Sequence, residues 1–368
     1  MMDRLFKSFT FNNGVSVKNR LAVAPMTHFA STDDGLISAA ERRFLTGRAT
    51  DFGLFITAAT LVSPEGQAFA GQPYGYAEAQ LDSLRELATL LKGQGALPIL
   101  QLHHGGKLAL AELLRGRDKV APSADAETGA RALTEEEIQQ LIGAFGRSCQ
   151  LAMAAGFAGV EIHGANNYLI QQFYSGHSNR RTDHWGGTRE KRLRFPLAVV
   201  DAVLAARGAR TDFIVGYRFS PEEPEDLGLT MDDSFALIDA LTAKNLQYLH
   251  VSLHDFFSLP RRGGDRQRWR VAQLHERING KLPLMAVGRL TNAVRMEEAI
   301  GSGAAEFIAL GKAVLANPNV ATLLREGRYE EIRETIDPTR ADHYGYPERL
   351  WQMQLHGKAG SPLPPLAS

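Results

Sequence analysis

The sequence predicts an α/β fold, a single (β/α)₈ TIM barrel with an N-terminal β-hairpin and an irregular C-terminal tail. Three observations carry that expectation. Eight short apolar runs alternate with longer amphipathic segments from one end of the chain to the other. The runs are rich in Val, Ile, Leu and Phe without strict alternation, the pattern of parallel strands covered on both faces. No GxGxxG fingerprint follows an early run, so the competing doubly wound open sheet lacks its usual support.

Taken in order, the segment Phe9–Val17, with Asn13-Gly14 at its centre, reads as a β-hairpin ahead of the barrel. The strand candidates are Leu21–Met26, Leu54–Val62, Pro98–His103, Val160–His163, Phe213–Phe219, Tyr248–Leu253, Leu284–Val287 and Phe307–Leu310. Thr134, with Glu137 three residues later, forms a capping box that opens a helix. Thr230-Met231-Asp232-Asp233 and Thr291-Asn292 are two further helix starts. The tail Ser361-Pro362-Leu363-Pro364-Pro365 reads as irregular and extended. No composition break, linker or repeat divides the 368 residues. One domain is therefore expected over 1–368, with the barrel over about 20–325 and a C-terminal extension over 326–368.

Composition narrows the function classes. Hydrophobic residues make up 44% and charged residues 22%, the balance of a globular protein that buries its own core. Lys plus Arg and Asp plus Glu each total 41, so a net charge of zero offers no electrostatic reason to expect nucleic acid or an acidic membrane. The local run Arg261, Arg262, Arg266, Arg268 and Arg270 reads as a solvated loop face. One cysteine, Cys149, excludes an internal disulfide framework and a cysteine-ligated cluster within the chain. It lies in a helical stretch and reads as a small buried apolar residue. No apolar leader region opens the chain and no run of 18 or more apolar residues occurs, so a soluble, cytoplasmic protein is expected. No metal site is expected. Oligomeric state is left open, a homo-oligomer included.

In such a barrel, chemistry collects where the strands end. Those ends carry polar residues that packing does not explain. They are Ala24-Pro25-Met26-Thr27, Thr57-Ala58-Ala59-Thr60, Gln101-Leu102-His103-His104, Glu161-Ile162-His163-Gly164-Ala165-Asn166-Asn167-Tyr168 and Tyr217-Arg218. Gly288-Arg289 and Gly311-Lys312 close strands seven and eight. Either pair alone could be a helix-starting turn. Together, at the two strands whose loops often hold a phosphate, they favour a phosphate site of exposed backbone N–H groups and one lysine. A buried Arg218 demands a charged partner, either a ligand or an ion pair inside the barrel.

The stretch Gly156-Phe157-Ala158-Gly159-Val160-Glu161-Ile162-His163, continuing through Tyr168-Leu169-Ile170-Gln171-Gln172-Phe173 to Asp183 and Gly186-Gly187, resembles the signature region of the Old Yellow Enzyme family. Ala24-Pro25-Met26-Thr27, Gln101-Leu102-His103-His104-Gly105 and Gly311-Lys312 match at the spacings that family demands, from about Phe6 to about Pro318. The resemblance implies non-covalent FMN across the barrel top, NADH or NADPH as reductant, and a small electrophilic substrate. It implies that Ala24, Pro25, Met26 and Thr27 line the flavin, with the Thr27 hydroxyl at O4. Ala59 would give close backbone approach, Gln101 would pair with the pyrimidine edge, and Arg218 would sit at N1 and O2. Gly288, Gly311 and Lys312 would hold the phosphate. His163 and Asn166 would clamp a substrate oxygen above the flavin, and Tyr168 would be the acid. His103 and His104 receive no catalytic role.

Departures from the family pattern matter too. Thr27 stands where one subclass has a cysteine, Asn166 where many relatives have a second histidine, and Lys312 where others have arginine. Lysine holds a phosphate as a point charge, without a bidentate fork. The activity implied is a ping-pong transfer of hydride from NAD(P)H to FMN and on to the β-carbon of an electron-poor alkene. Alternatives are an FMN barrel that reduces quinones, nitro compounds or free flavin, and a non-catalytic flavin-binding barrel. A barrel aldolase would need a Schiff-base lysine, and none of the eight strand cores contains one.

Overall fold

The computed structural model describes residues 2–357 and 363–367. Eight parallel strands close into a barrel: β1 Leu21–Val23, β2 Leu54–Ile56, β3 Leu97–His103, β4 Gly159–Gly164, β5 Ile214–Phe219, β6 Tyr248–Ser252, β7 Leu284–Val287 and β8 Phe307–Leu310. Each pairs in parallel with the next, and Ile308 opposite Leu21 joins β8 back to β1. All eight apolar runs are thus barrel strands. Four are shorter than the sequence suggested; the fifth and sixth lose one residue each, Phe213 and Leu253, and the first two lose more. The first ends at Val23, which leaves Ala24 to Thr27 as a loop. The second breaks after Ile56, where Thr57 and Thr60 both turn their hydroxyls onto the Ala58 carbonyl, and resumes as Thr60–Leu61.

Helix starts follow their capping residues. Thr134 Oγ1 accepts from Glu137 N–H at 3.3 Å, and Glu137 Oε2 accepts from Thr134 N–H at 2.8 Å, so the box opens the helix Glu135–Ala155. Asp233 closes the equivalent box on Thr230. Asn292 caps Ala293–Gly301 through Arg295 N–H. Cys149 is buried on the first of these helices; burial pushes its thiol up to about 12. The basic run departs from expectation. Arg261, Arg266 and Arg268 face solvent, but Arg270 is buried against Glu222, and Arg262 donates to the Glu223 carbonyl at 2.6 Å. Arg270 neutralises the buried Glu222 carboxylate of the loop after β5, while Arg262 satisfies a backbone carbonyl of the same loop.

The barrel interior is divided. Its lower half is apolar and is plugged by the predicted hairpin, in which Phe9–Thr10 pairs with Ser16–Val17. Gly14, at φ 85°, makes the tight return that an L side chain resists. Phe11 then stacks on Phe307 of β8, centroids 5.6 Å apart, among Leu54, Ile56, Ile99, Ile214 and Met285. The upper half is polar. The C-terminal extension crosses that end with the helix Glu348–Leu355, and the segment from Leu363 runs parallel to Ile336, with Ile336 N–H donating to the Pro365 carbonyl at 2.9 Å. Of the tail expected to be irregular, Ser361 and Pro362 lie outside the described residues.

The plug generates a test. Phe11→Ala would leave a cavity that the neighbouring strands cannot collapse to fill, and it is expected to destabilise the protein by about 3–5 kcal/mol. Urea unfolding measures the loss; a change under about 1 kcal/mol would mean the hairpin does not seal the barrel.

Candidate active site

A cavity of about 470 Å³ opens at the C-terminal ends of the strands. Ala24, Pro25, Met26 and Thr27 line it because β1 stops before them. Gly288 and Gly311 line it from β7 and β8, with Lys312, Arg289 and Arg218. Gly288 sits at φ 143°, and a Cβ there would meet the Phe256 nitrogen at 2.7 Å, so only glycine allows this turn. A Cβ on Gly311 would come no closer to its neighbours than 3.8 Å, at Ala24 Cβ, so that backbone stays open at the cavity. Lys312 has its pKa lowered, first by burial and then by the charge of Arg289. Lys312 and Arg289, the latter also 3.7 Å from Asp255 Oδ2, put positive charge at one corner, which suits an anion. Sequence reasoning named Arg289 beside Gly288 but gave it no role of its own. Leu350, Met353 and Leu363 of the extension complete an apolar wall.

Ala59, Gln101, His163, Asn166 and Tyr168 stand outside that lining. Ala59 is buried, and its carbonyl accepts from Gln72 Nε2 at 3.1 Å. Below the cavity lies a buried polar layer. Glu161 Oε1 accepts from Gln101 Nε2 at 2.7 Å; Oε2 accepts from Tyr248 OH and His250 Nδ1, both at 2.9 Å. Burial opposes the Glu161 charge, but His250, Arg218 and Gln101 outweigh it and hold the carboxyl below its ordinary range. Sequence reasoning missed this layer; a glutamate inside an apolar strand was its one signal. Arg218 is 7% exposed, donates from Nη2 to Ser252 Oγ at 3.0 Å, and keeps a buried Nε with no acceptor.

Side-chain orientation at the mouth can be read from the hydrogen bonds. His163 Nδ1 accepts from Ala165 N–H at 3.3 Å, so the neutral ring carries its proton on Nε2. Burial, reinforced by His103 and Arg218, drives its pKa well below normal and keeps it neutral. Ser252 donates to Asn166 Oδ1 at 2.9 Å, which turns Nδ2 outward as a donor. Asn166 holds φ 56°, and its N–H donates to Ser220 Oγ at 2.8 Å. The Tyr168 ring lies 5.2 Å from that of His163 and 4.2 Å from that of His103, edge to face. Burial raises the Tyr168 pKa against the pull of Arg218, so the phenol keeps its proton.

The two histidines left without a role now separate. His104 Nδ1 accepts from Gly106 N–H at 3.0 Å and braces the loop after β3. His103 faces the mouth. Gln72, oriented by Ala68 N–H on its Oε1, donates to His103 Nδ1 at 3.0 Å, so Nε2 carries the hydrogen. Among the described residues no cluster of His, Cys, Asp or Glu is arranged to hold a metal. The donor set fits FMN instead: Lys312 and Arg289 at one corner for a phosphate, a cavity of about 470 Å³ between the strand ends, and an arginine with an unused N–H for an electron-rich ring edge.

Fold and cavity together define a flavin-dependent barrel oxidoreductase. The chain belongs to the NADH:flavin oxidoreductase / NADH oxidase family, whose model matches residues 4–331, and is an Old Yellow Enzyme relative that uses FMN and NAD(P)H. It is 48% identical over 353 residues to a probable NADH-dependent flavin oxidoreductase of Bacillus subtilis (strain 168), covering 95% of each chain. Morphinone reductase in complex with tetrahydroNAD superposes with TM-score 0.77 and 28% identity over 93% of this chain and 97% of that one. An old yellow enzyme homologue from Zymomonas mobilis shares the fold at TM-score 0.79 and 24% identity, over 93% of this chain and 99% of that one.

Keeping these histidines neutral has a measurable consequence. Burial, with His104 adding to it, lowers His103 to about 3, whereas an unfolded chain titrates near 6.5. Between those values the unfolded state holds the extra proton, so this contribution to stability is intact above pH 6.5 and is lost as pH falls. His103→Asn is expected to flatten the fall in unfolding free energy between pH 6 and pH 4 by about 1.4 kcal/mol per pH unit. Urea unfolding at pH 6, 5 and 4 reads it; an unchanged slope would mean the native ring is already protonated.

Proposed function

We propose that the protein is an ene reductase, taking NAD(P)H and then an electron-poor alkene in turn at one site over FMN. What supports this is that the His163 and Tyr168 rings meet edge to face 5.2 Å apart, that His163 Nδ1 and Asn166 Oδ1 are each engaged by a donor so that Nε2–H and Nδ2–H remain to be offered, and that Ser252 links Asn166 to Arg218 in the cavity lining. When bound, FMN supplies a carrier that accepts hydride from a nicotinamide and delivers it to a carbon.

The residues supply the rest. Gly288 and Gly311 would offer backbone N–H groups to the phosphate, and Lys312, with Arg289, its countercharge. Ala24, Pro25 and Met26 would pack on the ring system, the Thr27 hydroxyl would reach its O4, and Ala59 would allow close backbone approach. Gln101 and Arg218 would meet the pyrimidine edge, where negative charge gathers on reduction. His163 and Asn166 would donate to one oxygen of an enone-type substrate. Two neutral donors withdraw electron density from the alkene without fixing a counter-ion in the site. Tyr168, kept protonated, would then hand its proton to the α-carbon. The barrel with its C-terminal wall would act as one FMN-binding domain. Among the described residues no helix is long and apolar enough to cross a membrane.

The purified protein is expected to be yellow and to release FMN, not FAD, on acid treatment and chromatography. Lys312→Ala should weaken retention by about 1.5–3 kcal/mol, the usual range for a hydrogen bond to a charged group. FAD, or no flavin after reconstitution, defeats the reading.

Tyr168→Phe separates the half-reactions. Reoxidation by 2-cyclohexenone should slow by about 10²–10⁴-fold, the usual contribution of a general acid. Reduction by NAD(P)H, which takes no proton from Tyr168, should stay within a few-fold of wild type, and so should reoxidation by a quinone. Stopped-flow absorbance follows each half; enone reoxidation at the wild-type rate would assign the proton to another donor.

A further inference from the structure

Gln101 meets the pyrimidine edge only if FMN occupies the cavity as proposed above, and that role leaves open why its amide should present one end and not the other. A glutamine side chain can turn over, exchanging an acceptor for a donor. Here it is pinned from below. Glu161, fully buried in β4, accepts from Gln101 Nε2 at 2.7 Å. Its other oxygen is held by Tyr248 OH and His250 Nδ1. A carboxylate in that state has no hydrogen to give. Turning Gln101 over would press two acceptor oxygens together inside the barrel. Among the described residues no donor reaches Gln101 Oε1.

We infer, resting on that proposed FMN site, that Glu161 is a positioning residue for the cofactor: by accepting Gln101 Nε2 it keeps Oε1 as the acceptor presented to the ligand, so that the site reads a ring imide N–H. The flavin imide, N3–H flanked by two carbonyls, offers that donor. Tyr248 and His250 act on the cofactor at one further remove, by fixing the carboxylate that fixes the amide. A purely structural Glu161 would also make the barrel stable, but it would leave the direction of Gln101 free.

FMN labelled with nitrogen-15 at N3, bound to the apoprotein, reports the contact directly by NMR. In wild type the N3–H proton is expected to resonate downfield of FMN in water and to exchange slowly with solvent. In Glu161→Gln the replacement side chain can donate as well as accept, so both orientations of Gln101 become available, and exchange is expected to quicken at least tenfold. Gln101→Met should give the same loss with the carboxylate intact. A change in packing alone would lower FMN affinity and leave the signal of the flavin that still binds where it was. An N3–H signal unchanged in Glu161→Gln overturns the inference, as does a wild-type signal at the position of free FMN. If the variants do not fold, a wild-type signal at the position of free FMN still overturns the inference. Failure of wild type to bind FMN at all would strike the underlying reading instead.

Discussion

Arg218 is buried at the mouth of the barrel, and among the described residues no carboxylate lies within ion-pair distance of it. Removing a guanidinium from water without a direct counter-ion costs several kcal/mol in effective terms, and the surroundings have to offset it. They do so in a graded way. Burial lowers the Arg218 pKa, while Glu161, Tyr248 and Tyr168 pull it back. One N–H is satisfied by Ser252, and the buried Nε is left for whatever occupies the cavity. The polar upper half of the barrel is arranged around that one charge. Glu161 sits one layer beneath it, Ser252 connects it to Asn166, and His163 is kept neutral partly by it.

Such an arrangement is tolerated only because the other half of the barrel is conventional. Phe11, Phe307 and their aliphatic neighbours close the lower end with stacked and interdigitated side chains. Apolar packing there supplies stability that the mouth cannot, since each orphaned polar atom at the top costs free energy in the absence of a ligand. The hairpin is therefore more than a decoration of the N-terminus. It is the counterweight that lets the site hold unsatisfied donors.

Features set by neighbours in the chain were legible in the sequence, and features set by distant partners were not. Thr134 and Glu137 are three residues apart, so the capping box could be read directly. All eight strands showed themselves as apolar runs because parallel strands are buried on both faces. Gly288 and Gly311 could be placed because strand order assigns them to neighbouring loops. The orientation of Asn166 could not, since Ser252 lies 86 residues away. Nor could the roles of Glu161, Tyr248 and His250, whose separations of 87 and 89 residues from the carboxylate leave no local pattern. His103 looked like one of a pair of equal histidines until Gln72, 31 residues earlier, distinguished it. The basic run misled for the same reason. Its partners, the Glu222 carboxylate and the Glu223 backbone carbonyl, come from another loop.

The cavity wall contributed by Leu350, Met353 and Leu363 comes later in the chain than every barrel strand. During synthesis the chain emerges N-terminus first, so the barrel can close while that wall is still missing. Once the extension has docked, Leu350, Met353 and Leu363 add an apolar side to a cavity that the strands alone leave wider. The last residues to be made therefore set the final width of a site whose polar groups were all in place before them.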